Sequence, residues 1–336
     1  MNNLSIKDIA RLAGVAPSSV SLVINGKEKE GRISAKLAAK IKKVIKKNGY
    51  QPNRSAVSLR TGKTKMIGLI IEDISNSFFS QLAKSVEDMA YKVGYKVVYC
   101  STENDDKKGI ELISMLHKQV DGFIITPSKG MKEQVLKLKK NKKPVVLLDR
   151  YFPDVNIPYV LIDNFTAVKK GVGHLVKAGY KNIAMITTAM GQVQMQEREA
   201  GYVQCLKEHA LYKATYKLLL KFSPMEDVYA DQIKKFLLKH PQIDAVFFAT
   251  NYLGIQGLKV LKDLGKRIPE DIGVLSFDDH DIFKLYTPAI TVISQPIAEM
   301  AAKGVEMLTN QMNGTDDDPK RKGILLDGEL IIRQSL

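Results

Sequence analysis

Two textures of hydrophobic spacing divide the chain. Over residues 5–49 the apolar positions recur three and four apart: Ile6, Ile9, Ala10 and Ala13, then Val20, Val23 and Ile24, then Leu37, Ile41, Val44 and Ile45. That spacing predicts three short amphipathic helices, the third running from a Ser34 cap to about Lys47. Ser5 stands where the first helix needs an N-cap, Gly14 permits a sharp turn, and Pro17 suits a first helical position. Two short helices set at a steep angle and closed by a third make a helix-turn-helix, whose second helix is narrow enough for a DNA major groove. Its outward residues would be Ser18, Ser19, Ser21, Leu22 and Asn25.

From Met66 onward the texture changes to short apolar runs alternating with amphipathic segments. "MIGLII", "KVVYCS", "DGFIITP", "PVVLLD" and "YVLID" read as buried parallel strands, and "FFSQLAKSVEDMAYKVGY" and "DDKKGIELISMLHKQ" as the helices between them. The pattern repeats from about residue 165 with strands "NIAMIT", "AVFFAT" and "GVLSFD". The fold class expected is therefore an all-α head followed by an α/β core of two doubly wound lobes. Two such lobes imply a cleft, and open α/β sheets bind ligands at the carboxyl ends of their strands. Those ends carry "EDISNSFF", Asp149 and Arg150, Asp163 and Asn164, Asn251, and Asp278 and Asp279.

Charge sharpens the picture of the head. The chain carries a formal +15, and residues 1–65 hold 15 Lys and Arg against 3 Asp and Glu, leaving 36 against 33 for the other 271 residues. A solvated lysine-rich helix explains part of this excess, but a polyanion-binding head explains its placement. Residues 50–64, "YQPNRSAVSLRTGKT", are polar and basic around one leucine. Their GKT is no phosphate loop, because a Walker motif needs glycine at position 57, which is valine.

Other chemistry is excluded by spacing. Cys100 and Cys205 sit in apolar contexts without metal-ligand or redox spacing and read as free core thiols. His117, His174, His209, His240 and His280 are scattered without a paired ligand or a triad partner. No catalytic residue, metal or cofactor is expected. With no run of roughly 20 apolar residues and charges at Lys7, Asp8 and Arg11, neither a membrane span nor a signal peptide is expected, which points to the cytoplasm. The acidic "DDD" at 316–318 reads as a solvated loop.

The stretches "IKDIARLAGVAPSSVSLVING" and "NGYQPNRSAVSLRTGKT", with the core segments, resemble the lactose repressor and purine repressor family of bacterial transcription regulators over essentially the whole chain. The resemblance implies a head at 1–49, a hinge helix and linker at 50–65, and an effector-binding and dimerisation core at 66–336. Within the core it implies a first lobe of about 66–163 and 293–322, and a second of about 164–292 and 323–336. Ser5, Pro17, Ser18, Ser19, Ser21, Leu22, Asn25, Ser34 and Asn53 become the DNA contacts, with Ala56 and Leu59 as a minor-groove wedge. Unstacking a base step costs a few kcal/mol, offset by the surface that a kinked duplex lets the protein bury.

The same resemblance places Asn76, Phe78, Phe79, Asp149, Arg198, Phe222, Asn251, Asp278 and Gln295 around the effector. Arg198 is the arginine of "REAGY" and Gln295 sits in the crossover "ISQP". Arginine, two acids, amides and aromatic faces suit a polyhydroxylated ring, so a sugar or sugar derivative is expected, with a nucleobase as the alternative. The implied function is a ligand-responsive repressor of carbohydrate-utilisation genes that binds a pseudo-palindromic operator as a homodimer. The chain stops soon after "LIIRQSL" without a heptad extension, so a tail-mediated tetramer is not expected. A sugar-binding transport protein is the competing reading; the missing signal peptide and basic head oppose it. An enzyme on a Rossmann-like fold would want a glycine-rich turn after the first strand, where "LIIEDISNSFF" has none.

Two departures stand out in the head. Leu22 occupies the place of a common family arginine, so operator preference should differ there by roughly 1–3 kcal/mol. "NGKEKEGRIS" is about three residues longer than usual, and its Lys27, Lys29 and Arg32 are either phosphate contacts or solvated. In the core, Tyr252 replaces a frequent aspartate and should exclude the commonest family ligands.

Overall fold

The structure, a computed structural model, describes residues 4–51, 61–189, 191–221, 227–315 and 323–336. It divides into two units, Met1–Lys65 and Met66–Leu336. The first holds α1 (Ile6–Ala13), α2 (Pro17–Ile24) and α3 (Ala35–Lys47). The Ser5 hydroxyl accepts from the Asp8 amide while the Asp8 carboxylate accepts from the Ser5 amide, a reciprocal cap that satisfies two otherwise orphaned donors. Gly14 ends α1 at φ +66°, a conformation that costs a residue with a Cβ far more than it costs glycine. Ile9, Val20 and Ile41, one from each helix, are fully buried together, with Ala10, Ala13, Val23 and Ala38 completing the small core.

The second unit contains two six-stranded sheets. The first has strand order β11-β5-β4-β3-β1-β2, from β1 (Met66–Ile71), β2 (Lys96–Ser101), β3 (Gly122–Ile125), β4 (Val145–Leu148), β5 (Tyr159–Ile162) and β11 (Gly323–Leu326). The second has order β12-β10-β9-β8-β6-β7, from β6 (Ile183–Thr188), β7 (Lys217–Leu220), β8 (Ala245–Phe248), β9 (Gly273–Phe277), β10 (Thr291–Ser294) and β12 (Glu329–Ile331). Every pairing is parallel except β10 with β12. The central strands are buried along their length, as a sheet covered on both faces requires.

Of the core helices α4 (Ser77–Lys92), α5 (Asp106–Leu116), α6 (Lys132–Lys140), α7 (Asn164–Lys177), α8 (Val193–Glu208), α9 (Asp227–Lys239) and α10 (Asn251–Asp263), four matter for the site: α4, α7, α8 and α10. Three crossings join the lobes: from β5 into α7, from β10 into the helix Ile297–Asn313, and from β11 to β12. The lobe limits expected from the sequence shift accordingly. Thr291–Ser294 pairs wholly within the second sheet, beside β9, so the second crossing begins only after Ser294. Gly323–Leu326 lies in the first sheet, with Gly323 opposite Tyr159 and Leu326 opposite Ile162, although residues 323–336 were expected in the second lobe. The run pairs in parallel with β5, and only β12 returns to the second sheet, antiparallel to β10. No helix among the described residues is long and apolar enough to cross a membrane.

Candidate functional site

The carboxyl ends of the strands converge on a cleft between the lobes, lined by Glu72, Asn76, Phe78, Phe79, Asp149, Arg150, Gln194, Arg198, Asn251, Tyr252, Asp278 and Gln295 among others. Two of its residues are matched in backbone as well as in chemistry. Asp149 follows β4 at φ +64° and Asp278 follows β9 at φ +66°, a left-handed turn that aspartate tolerates better than most side chains. Each amide is nonetheless tied into its sheet: Asp149 donates to the Val160 carbonyl and Asp278 to that of Ile293, at 3.1 and 2.8 Å. The chain thus turns sharply where each sheet ends and holds a carboxylate in the cleft wall.

Arg198 enters from α8 and is buried. Its Nε donates to Asn164 Oδ1 and its Nη1 to the Ala249 carbonyl, both at 2.8 Å, and the guanidinium lies 3.5 Å from the centroid of the Phe277 ring. Nη2 takes part in no hydrogen bond among the described residues. Burial lowers the Arg198 pKa, opposed by the charges of Asp278 and Asp149. Asp278 accepts from Gln295 Nε2 at 2.7 Å, so the amide of the crossover segment reads one of the two acids. Phe78 and Phe79 are buried edge to face, 4.9 Å apart, and give the cleft its apolar wall.

Amides join the two lobes across the cleft. Asn251 Nδ2 donates to Asn76 Oδ1 and Ser77 Oγ, each at 3.1 Å, while Asn76 also caps α4 through the Phe78 amide. Asn104, in the loop after β2, accepts at Oδ1 from both Arg150 Nη1 and Gln192 Nε2 at 3.2 Å. Arg150 pairs with Glu72, both nearly inaccessible to solvent. Gln194 Oε1 and Asn104 Nδ2 are buried without a partner among the described residues, and such orphaned groups are what a ligand's hydroxyls would satisfy.

Burial raises the Asp149 pKa to about 6, against the pull of Arg150 and Arg198. The folded chain therefore holds this proton more tightly than the unfolded chain, whose carboxyl titrates near 3.8. Stability contributed by Asp149 is fullest below that unfolded value and is lost as pH rises through about 6, by about 3 kcal/mol at most. Comparing urea midpoints of the wild type and Asp149→Asn at pH 4 to 8 should show this step in the wild type only; parallel curves would remove it.

The expected site residues fall as follows. Asn76, Phe78, Phe79, Asp149, Arg198, Asn251, Asp278 and Gln295 all line the cleft. Phe222 lies outside the described residues, as do Asn53, Ala56 and Leu59 of the hinge and the acidic run at 316–318. In the head, Pro17, Ser18 and Asn25 are exposed, and Ser19 and Ser21 are half-buried. The Asn25 amide donates back to the Ser21 carbonyl at 2.6 Å, and the Ser5 and Ser34 hydroxyls cap helices. Leu22 is half-buried instead of open. Glu72 and Arg150 stand among the strand-end residues read from the sequence but not among the expected effector contacts, and Gln194 is in neither set. Only their place at strand and helix ends hinted at them. Both cysteines are free, their thiols pushed up by burial, and no group of His, Cys, Asp or Glu among the described residues suits a metal.

Comparison with known proteins agrees with this architecture. Residues 5–53 match the model of bacterial regulatory proteins of the lacI family, and 172–336 match a periplasmic binding protein-like domain. A ribose operon repressor of Halalkalibacterium halodurans is 32% identical over 98% of this chain and 96% of its own. The chain belongs to the lacI family. Another lacI-family relative, the transcriptional regulator KdgR of Bacillus subtilis, is 30% identical over 99% of this chain and 97% of its own. In fold, the lac repressor dimer bound to operator and an anti-inducer superposes with a TM-score of 0.86 over 99% of both chains, at 21% identity. This lacI-family chain is thus a DNA-binding transcription regulator, and the relatives it matches are regulators, not enzymes.

Proposed function

We propose that the chain represses carbohydrate-utilisation genes, binding a pseudo-palindromic operator as a homodimer and taking a sugar or sugar derivative in the interlobe cleft. The observation that carries the reading is the convergence of Asp149, Asp278, Arg198 and Gln194 on one cleft walled by Phe78 and Phe79. Planar rings cover the apolar face of a sugar while acids, amides and a guanidinium edge pair with its hydroxyls. The names of the relatives support the class, one being a ribose operon repressor. Tyr252 makes this pocket narrower and less charged than one with aspartate there; burial raises its phenol pKa, so it meets the ligand as a neutral hydroxyl.

Cleft contacts are made by both lobes, so a ligand that favours one lobe arrangement shifts the equilibrium toward it. DNA affinity and ligand affinity are then coupled reciprocally. Gel-shift titration of genomic fragments with and without a panel of sugars tests the reading. A shift released or sharpened by one sugar supports it, and a chain that binds sugar but shifts no fragment is a transport-type protein instead. Leu59→Ala should weaken operator binding far more than random-DNA binding, because only a seated hinge spends its leucine on a base step. Equal losses on both DNAs would remove the wedge.

A further inference from the structure

Leu22 and the loop that follows α2 meet in space. The loop between α2 and α3 folds back so that Gly31 sits against Leu22: a methyl added there would lie 2.4 Å from Leu22 Cδ1 and 3.3 Å from its Cγ. Leu22 is half-buried beneath this contact, while Ser18 and Asn25, one turn to either side, are exposed. The loop is hydrogen-bonded throughout. Lys27 donates from its amide to the Leu22 carbonyl at 2.9 Å, Gly31 to that of Lys27 at 3.1 Å, and Ile33 to that of Glu28 at 2.9 Å. Glu28 pairs with Lys42 of α3 at 2.8 Å, which ties the loop to the second wall of the head.

Charge on this loop is not fully spent. Lys27 pairs with Glu30 at 2.9 Å, whereas Lys29 and Arg32 are exposed and form no ion pair among the described residues. Arg32 also holds φ +50°, a turn that the bonded loop imposes on a residue with a Cβ. Two exposed cations without an ion pair among the described residues therefore flank Gly31, the residue that meets Leu22 of α2.

We propose that residues 25–33 form a second DNA-contacting element, buttressed on α2 by the Leu22–Gly31 contact, in which Lys29 and Arg32 bind the phosphate backbone beside the groove that α2 enters. Leu22 is then a positioning residue for the loop and does not read a base. This rests on the DNA-binding reading of the head. Such phosphate contacts add affinity without adding sequence information.

The test uses the full chain and a duplex that the wild type selects from a random-sequence pool, with affinity measured against KCl concentration. Lys29→Ala/Arg32→Ala should flatten the slope of log K against log salt by about 1.8, at about 0.9 per phosphate released, and should weaken selected and random duplexes by the same factor. Lys234→Ala/Lys235→Ala, in the core, controls for net charge. Leu22→Ala, which keeps the loop's backbone bonds available, should reproduce part of the flattening with the selected sequence unchanged. An unchanged slope in the double variant overturns the proposal while wild-type binding keeps the DNA reading intact. If Leu22→Ala instead relaxes preference at a single base pair with the slope intact, Leu22 reads that base and the positioning role falls. A wild type that selects no duplex at all removes both.

Discussion

Arg198→Ala is expected to abolish the response to effector while leaving DNA binding intact in its absence, where the effector is an inducer. The side chain is buried, with its Nε on Asn164, its Nη1 on the Ala249 carbonyl and its face on Phe277. Nη2 is the edge left to a ligand, next to two acids whose charges it offsets. A charge-assisted hydrogen bond contributes about 1.5–3 kcal/mol, so losing two to a ligand weakens affinity roughly 10²-fold or more. Truncation also strips Asn164 and Ala249 of their donors, which costs some stability in the unliganded core. Arg198→Lys separates the effects: it keeps the charge and loses the planar fork, so it should recover part of the stability lost in Arg198→Ala and still bind effector poorly. Calorimetry of effector binding and a gel shift without effector provide the two readouts. If the lysine variant folds but fails to bind DNA without effector, Arg198 holds the architecture and is not a ligand contact.

The two aspartates were legible because they sit directly after apolar runs that mark where a strand ends, whereas Arg198, inside α8, came only from the resemblance of "REAGY". "VVLLD" and "GVLSFD" each bury four or five residues and then release one polar side chain at the carboxyl edge, where open sheets bind ligands. Caps were legible for a similar reason, since Ser5 and Ser34 act on amides three residues away; the capping role of Asn76 was not read. What was not legible depends on contacts distant in sequence. Glu72 meets Arg150 across 78 residues, and Asn104 meets Gln192 across 88, through loops whose course no local pattern encodes. Leu22 shows the same limit at shorter range. Helical spacing set it outward, and only the return of the loop at Gly31 covers it. The "GILL" run is apolar in either sheet, so its membership of the first is decided by pairing with β5.

Glu72→Gln is expected to destabilise the core by about 3–5 kcal/mol, because it leaves the Arg150 guanidinium charged, buried and without its carboxylate. At roughly 2–4 °C per kcal/mol for a unit of this size, Tm should fall by on the order of 10 °C. Asp149, whose carboxylate lies 3.3 Å from Arg150 Nε, offers only partial compensation, since burial itself favours its protonated form up to about pH 6. The loss should therefore be larger at pH 5 than at pH 8, where Asp149 is ionised and can share the charge. Replacing both partners, Glu72→Gln with Arg150→Met, removes the uncompensated charge and should recover most of the loss, since no unpaired charge is then left buried. The double variant also removes the arginine that holds Asn104 for Gln192, so it should weaken effector binding even with stability restored. A double-mutant cycle on Tm and on effector affinity separates these effects. If Glu72→Gln melts with the wild type at both pH values, the guanidinium is solvated and the pair does not hold the cleft wall together.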